Sequence, residues 1–176
     1  MRQTLELFVW DATCDEKIPV AVRPAADLDF AATQEWQTRW DTEQALQFPN
    51  KVALYRTDPK ELLGLMSYAL DERAMAVEIV YLESAPHSNA NLLHKTGGQK
   101  RYYGIAKALF AHAVQLSLQA GFDGVLVFRA KTSGLLEYYT RVLGARRVAA
   151  YDPFRMVVWE DAAQRIIAEY RRDPHG

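Results

Sequence analysis

Cysteine is almost missing from this chain. Cys14 stands alone, so no disulfide can form within the chain, and a reducing cytoplasm is the simplest home. Its neighbours in sequence offer nothing that would activate it as a nucleophile. Long apolar runs are missing too. None approaches the roughly 20 residues that cross a bilayer, and Met1-Arg-Gln-Thr-Leu-Glu6 lacks the apolar centre of a signal peptide, so no membrane partner is expected. Charge of one sign is absent: 21 Lys and Arg face 22 Asp and Glu, a net charge of -1. That balance speaks against a general nucleic-acid binder, which needs a broad basic excess. No Cys-x-x-Cys or His-x-x-x-His pair is present, so no metal site is expected, and His87 and His94 read as loop residues. No Gly-Lys-Ser/Thr triplet and no dinucleotide fingerprint occur. Internal repeats and low-complexity tracts are lacking.

What is present reads as one domain over residues 1–176, long enough to bury a core, with 49% hydrophobic and 24% charged residues. Its organising stretch is Gln99 to Gly121. A basic turn, Lys100-Arg101, leads through Tyr102, Tyr103 and Gly104 into a run where Ile105, Leu109, Ala113 and Leu116 recur at helical spacing. Gly121 falls where a helix ends. A strand-like run, Val77 to Leu82, precedes this stretch and the apolar run Val125–Phe128 follows it. A helix start offers unpaired N–H groups and a positive dipole end, which together attract phosphate.

The remaining chain reads in order as two extended runs, Leu5–Trp10 and Val20–Arg23, either of which could be the first strand. A helical region follows over Asp29–Leu46, with Trp36 and Trp40 on one face, read as core. Strands over Val52–Tyr55 and Leu62–Leu70 flank the turn Thr57–Lys60. A third strand covers Met75–Leu82, and Ala85–Gly98 reads as a long polar connection without structure of its own. After Val125–Phe128 come a helix over Leu135–Leu143 capped by Thr132 or Ser133 and closed by Gly144, a strand pair over 147–150 and 155–159, and a last helix over Asp161–Arg171. The result is a mixed α/β class.

The segment from about Val77 to Ala145 resembles the cofactor-binding core of the GNAT superfamily of acyl-CoA-dependent N-acyltransferases. Arg101, Gly104 and Ala106 match its Q/R-x-x-G-x-G/A phosphate motif in order. Tyr138-Tyr-Thr-Arg-Val-Leu-Gly-Ala145 resembles its Tyr-x-x-x-x-Gly-Phe ending, with Ala145 where Phe is usual. Glu83-Ser-Ala-Pro-His-Ser-Asn89, Gly121-Phe-Asp-Gly124 and Ala130-Lys-Thr132 resemble a bacterial branch of that superfamily. The resemblance implies a mostly antiparallel mixed sheet with helices on both faces, splayed between the strands that flank the cofactor-binding helix. It implies acetyl-CoA as cofactor and acetyl transfer to a primary amine of a small molecule or peptide by direct attack. The alternative is a non-catalytic acyl-CoA-binding or sensing module. For Trp36 and Trp40 the resemblance implies an alternative to the core, that one of them lines a substrate groove.

Such a transfer has three needs. The amine must lose a proton, the thioester oxygen needs a hydrogen-bond donor, and the leaving thiolate benefits from an acid. For the first, Glu83 and Glu78 are the candidates. They stand an odd number of residues apart, so a regular strand sends them to opposite faces. For the second, the resemblance implies a backbone N–H around Leu82 to Ser84. For the third it implies Tyr139, with Tyr138 as rival. The phosphates would lie on backbone N–H groups of Tyr102, Tyr103, Gly104, Ile105, Ala106 and Lys107, with Arg101 and Lys100 adding charge. Lys131 and Thr132 stand where the family has a cofactor-contacting asparagine. The partner expected is the amine substrate, with no nucleic acid; the sequence is compatible with a homodimer and does not fix the oligomeric state.

Overall fold

A computed structural model describes residues 4–148 and 150–171. The first three residues of the amino-terminal reading and Ala149 of the expected strand 147–150 lie outside the described residues. The described residues form two compact units: an amino unit of residues 6–67 and 81–109, and a carboxy unit of residues 4–5, 68–80, 110–148 and 150–171.

In the amino unit, both early extended runs are strands, and they pair with each other. β1 (Phe8–Asp11) and β2 (Glu16–Pro24) form an antiparallel hairpin with Trp10 opposite Lys17. The expected helix 29–46 is broken into α1 (Asp27–Ala31) and α2 (Glu43–Leu46), with turns between them. The break has a cause outside local spacing. The Thr33 hydroxyl takes the Trp40 N–H at 2.9 Å, and a carboxylate from a distant strand takes the Thr38 N–H at 3.0 Å. These bonds replace the i→i−4 ladder that a helix would need. Trp36 and Trp40 nonetheless enter the core, in a cluster with Phe30, Ala53, Leu65 and Ala85.

β3 (Lys51–Thr57) and β4 (Lys60–Asp71) pair antiparallel around the expected turn, and β5 (Ala76–Ser84) follows. The connection after β5 is not structureless. Pro86–Ser88 forms a 3-10 turn and α3 covers Ala90–Thr96. The Asn89 side chain caps α3 by accepting the N–H groups of Asn91 and Leu92, and Gly97 ends it at φ 72°. A short strand, β6 (Tyr102–Tyr103), then pairs antiparallel with β1, and α4 (Ile105–Gln119) begins. The strand order in this unit is β6-β1-β2-β3-β4-β5.

Two neighbouring residues of β4 fix the layering. Leu65 faces the tryptophan cluster. Gly64 faces α4 so closely that a Cβ there would stand 2.9 Å from Ile105 Cγ2 and 3.2 Å from the Glu83 carbonyl oxygen. Successive strand residues point to opposite faces, so the 27–48 segment covers one side of this sheet and α4 the other.

In the carboxy unit the strand order is β4-β5-β7-β9-β8. β7 (Leu126–Arg129) is parallel to β5, with Val77 opposite Leu126 and Glu78 opposite Val127. That ladder stops at Glu78 although β5 runs on to Ser84. α5 (Ser133–Leu143), β8 (Arg146–Arg147), β9 (Arg155–Val158) and α6 (Glu160–Ala168) complete the unit. β9 is antiparallel to both β7 and β8. Val127 packs with Ala76, Val125 and Val157, while Phe128 turns to the opposite face and meets Phe110. α6 buries Ala162, Ala163, Ile166 and Ile167. The mixed, mostly antiparallel α/β class inferred from the sequence is the one observed. Among the described residues no helix is long and apolar enough to cross a membrane, and none forms a cluster suited to a metal ion.

Candidate functional site

In the amino unit the end of β5 holds Glu83, only 4% exposed. Its Oε1 accepts the Thr38 N–H at 3.0 Å and its Oε2 accepts the Trp40 indole N–H at 3.0 Å. Two residues earlier on the same face, the Tyr81 hydroxyl meets Thr38 Oγ1 at 2.5 Å, and its ring stacks on Phe48. Glu83 therefore ties the 38–40 segment to the sheet. Its flanking residues Leu82 and Ser84 are half-buried.

The basic turn before α4 is built into the sheet. The Arg101 N–H donates to the His87 carbonyl at 2.9 Å, and the Arg101 carbonyl accepts the Ala12 N–H at 2.8 Å. The Tyr102 N–H donates to Ser88 Oγ at 3.0 Å. Tyr102 is fully buried, and its hydroxyl donates to Glu61 and accepts from Arg56, which also pairs with Asp11. The Arg101 guanidinium pairs with Glu61 at 3.1 Å, and His87 Nε2 stands 3.2 Å from the same oxygen. Ser88 Oγ accepts the Tyr102 N–H, so its own proton is placed for His87 Nδ1 at 2.7 Å, and Nε2 becomes the donor toward Glu61. Burial holds His87 below its usual range despite Glu61, which agrees with that neutral form. Nothing in the local sequence points to Glu61, Arg56 or Ser88 in this role, because their contacts come from segments far away along the chain.

The turn opens at Gly104. Its φ of 94° is a conformation suited to glycine, and a Cβ there would meet no heavy atom within 4 Å. The first amides of α4, at Ile105 and Ala106, have no acceptor within the helix, as at any helix start. Lys107 lies in the same first turn. Open space, a glycine and the positive end of a 15-residue helix suit a pyrophosphate. Of the expected cradle, Tyr102 directs its N–H to Ser88 and Tyr103 lies in β6 opposite Trp10, so the open part starts at Gly104.

In the carboxy unit Tyr139 sits on α5 against Phe110 and Phe128, with ring centroids 5.3 and 5.2 Å away, and Tyr138 lies beside it. Burial pushes the Tyr139 hydroxyl up to about 12, so it stays protonated at neutral pH. Glu78 is half-buried on β5. Thr132 caps α5 by accepting the Leu135 N–H at 3.1 Å, and Lys131 is exposed beside it.

No known family's sequence profile matches the chain, and no curated protein matches it. Solved structures do. The KacTA–DNA complex aligns with a TM-score of 0.52 at 16% identity, over 85% of this chain and 99% of that one. AtaTR bound with acetyl-CoA aligns with a TM-score of 0.54 at 15% identity, over 84% and 97%. A mutant of the spermidine N-acetyltransferase SpeG from Vibrio cholerae aligns with a TM-score of 0.52 at 10% identity, over 82% and 95%. These matches correct one expectation. The near-zero charge speaks against a nucleic-acid partner, and the resemblance leads to an amine substrate. Structures of this fold include a complex with DNA and a toxin bound to its antitoxin. A net charge averages over a whole surface and does not speak for any one contact on it.

Proposed function

We propose, for a chain that has the fold of the GNAT acetyltransferases, the transfer of an acetyl group from acetyl-CoA to a primary amine by direct attack. The observation that carries this reading is the start of α4: an open glycine at φ 94° followed by a 15-residue helix whose first amides have no acceptor within the helix. Gly104, Ile105, Ala106 and Lys107 hold the pyrophosphate. Arg101 stiffens the turn through Glu61 rather than reaching the ligand, and Tyr102 anchors it. The backbone of Leu82 to Ser84 supplies the donor for the thioester oxygen.

The amine nitrogen attacks the thioester carbon, the C–S bond breaks, and two protons must move. The departing sulfur takes up a proton, and burial keeps the Tyr139 phenol protonated at neutral pH, as the acid for that step must be. The proton lost by the amine goes to Glu78, the half-buried carboxylate of β5. Glu83 acts as a positioning residue, since each oxygen already accepts an N–H from the 38–40 segment.

Because structures of this fold include KacTA with DNA and AtaT with the C-terminus of AtaR, a protein or nucleic-acid partner belongs to the reading. The test is release of free thiol from acetyl-CoA in the presence of amines, including proteins and nucleic acids that carry one. Thiol release that depends on the acceptor supports the reading. Absence of release across such a screen, with acetyl-CoA bound, contradicts it.

A further inference from the structure

One face at the edge of the amino unit gathers exposed aromatic rings. Trp10 lies opposite Lys17 on one side and Tyr103 on the other, and Phe8 lies opposite Pro19. Residues directly opposite across a ladder share a face, with Cβ atoms about 4.5–5.5 Å apart. These side chains therefore stand together. Their neighbours Val9, Asp11, Ile18 and Tyr102 alternate to the other face and are buried. Trp10 is 41% and Tyr103 51% exposed, which is much ring surface to leave in water. Two ammonium groups lie over the rings. Lys17 Nζ lies 4.4 Å from the Phe8 centroid and 5.9 Å from that of Trp10, and Lys100 Nζ lies 5.7 Å from that of Tyr103. No carboxylate occupies the paired positions of this face.

Exposed aromatic rings with flexible ammonium groups over them, which a phosphate can draw off the ring faces, suit a flat, π-rich ligand that carries phosphate, which is the chemistry of a nucleotide. Chain continuity selects among nucleotides. Tyr103 immediately precedes Gly104, so a pyrophosphate on the α4 amides lies one residue from this platform. We propose that Trp10 and Tyr103, with Lys17 and Lys100, seat the adenosine 3′-phosphate end of acetyl-CoA. The purine lies on the two rings and the 3′-phosphate meets the ammonium groups. The β1–β2 hairpin thereby serves as part of the cofactor site, bound to the phosphate turn through β6 and through the Ala12 N–H to Arg101 carbonyl bond. This inference rests on the pyrophosphate reading of the α4 start.

The experiment is titration calorimetry of the full chain with CoA, dephospho-CoA and pantetheine. The parent should bind CoA more tightly than pantetheine. Trp10→Ala and Tyr103→Ala should each weaken CoA on the order of tenfold, and Trp10→Phe should recover most of the loss. Lys17→Ala should erase the preference for CoA over dephospho-CoA. Thermal melting checks that each variant folds. If the parent prefers CoA to pantetheine and Trp10→Ala binds CoA equally well, the platform is wrong and the phosphate turn stands. If the parent binds CoA and pantetheine alike, the platform is likewise wrong. If the parent binds no CoA at all, the cofactor reading falls and the platform with it.

Discussion

Glu83 and Trp40, separated by 43 positions in sequence, meet through a buried hydrogen bond of 3.0 Å from the indole N–H to the carboxylate. The other oxygen takes the Thr38 N–H. One carboxylate thus holds a turn that local sequence would have made a helix.

Glu83→Gln therefore acts on stability. A glutamine has one acceptor oxygen for two buried donors, and an unsatisfied buried donor costs about 1–3 kcal/mol. The melting temperature should fall by roughly 2–4 °C for each kcal/mol lost. An unchanged melting temperature would show that the carboxylate does not anchor the 38–40 segment.

Glu78→Gln acts on turnover instead. Loss of a general base lowers the rate about 10²–10⁴-fold, and the deficit should shrink as rising pH deprotonates the amine unaided. A pH–rate profile of Glu78→Gln parallel to that of the parent would remove Glu78 from the mechanism.

The face-to-face contact of Gly64 with α4 predicts a packing defect. In Gly64→Val the new side chain would crowd Ile105, Leu109 and the Glu83 backbone. Overpacking of this kind costs about 1–3 kcal/mol. Denaturant unfolding should show a lower midpoint, and a midpoint equal to the parent's would mean that α4 does not rest on β4 as described.

Acid should weaken the fold before the carboxylates protonate. Burial holds His112 down to about 4, against an ordinary value of 6.5. Between these values the unfolded chain binds the proton and the folded chain does not. Stability is thus complete above about pH 6.5 and is lost as pH falls toward 4, by at most roughly 3 kcal/mol. Asp29, held low chiefly by its Arg23 hydrogen bonds, loses its contribution only at more acid pH. Melting temperature against pH should flatten across this window in His112→Gln, and an equal slope in that variant would assign the acid loss elsewhere.

The local parts of this structure are legible in the sequence. The helix over Ile105–Gln119 follows from its apolar spacing, and α5 with its Thr132 cap and Gly144 end follows from end signals. The caps of α3, Asn89 and Gly97, are equally local signals, although the polarity of the 85–98 stretch reads as a structureless loop. What cannot be read depends on distant partners. The Trp36–Trp40 spacing fits a helix, yet Glu83 and Thr33 draw that segment into turns. The motif Arg101-Tyr-Tyr-Gly104 reads as a phosphate turn, but nothing local says that Arg101 is spent on Glu61 or that Tyr102 and Tyr103 become a strand on β1. β-pairing is a relation between remote segments, so a single strand's composition does not name its neighbour.

The central claim is that the open start of α4 holds the pyrophosphate of acetyl-CoA. Gly104→Glu tests it most directly, because a carboxylate placed at the first amides repels phosphate and a side chain at φ 94° strains the turn. Calorimetric titration with acetyl-CoA should show binding to the parent and none to Gly104→Glu, with both folded by circular dichroism. Equal binding by the two proteins, or no binding by the parent at high micromolar acetyl-CoA, would contradict the account.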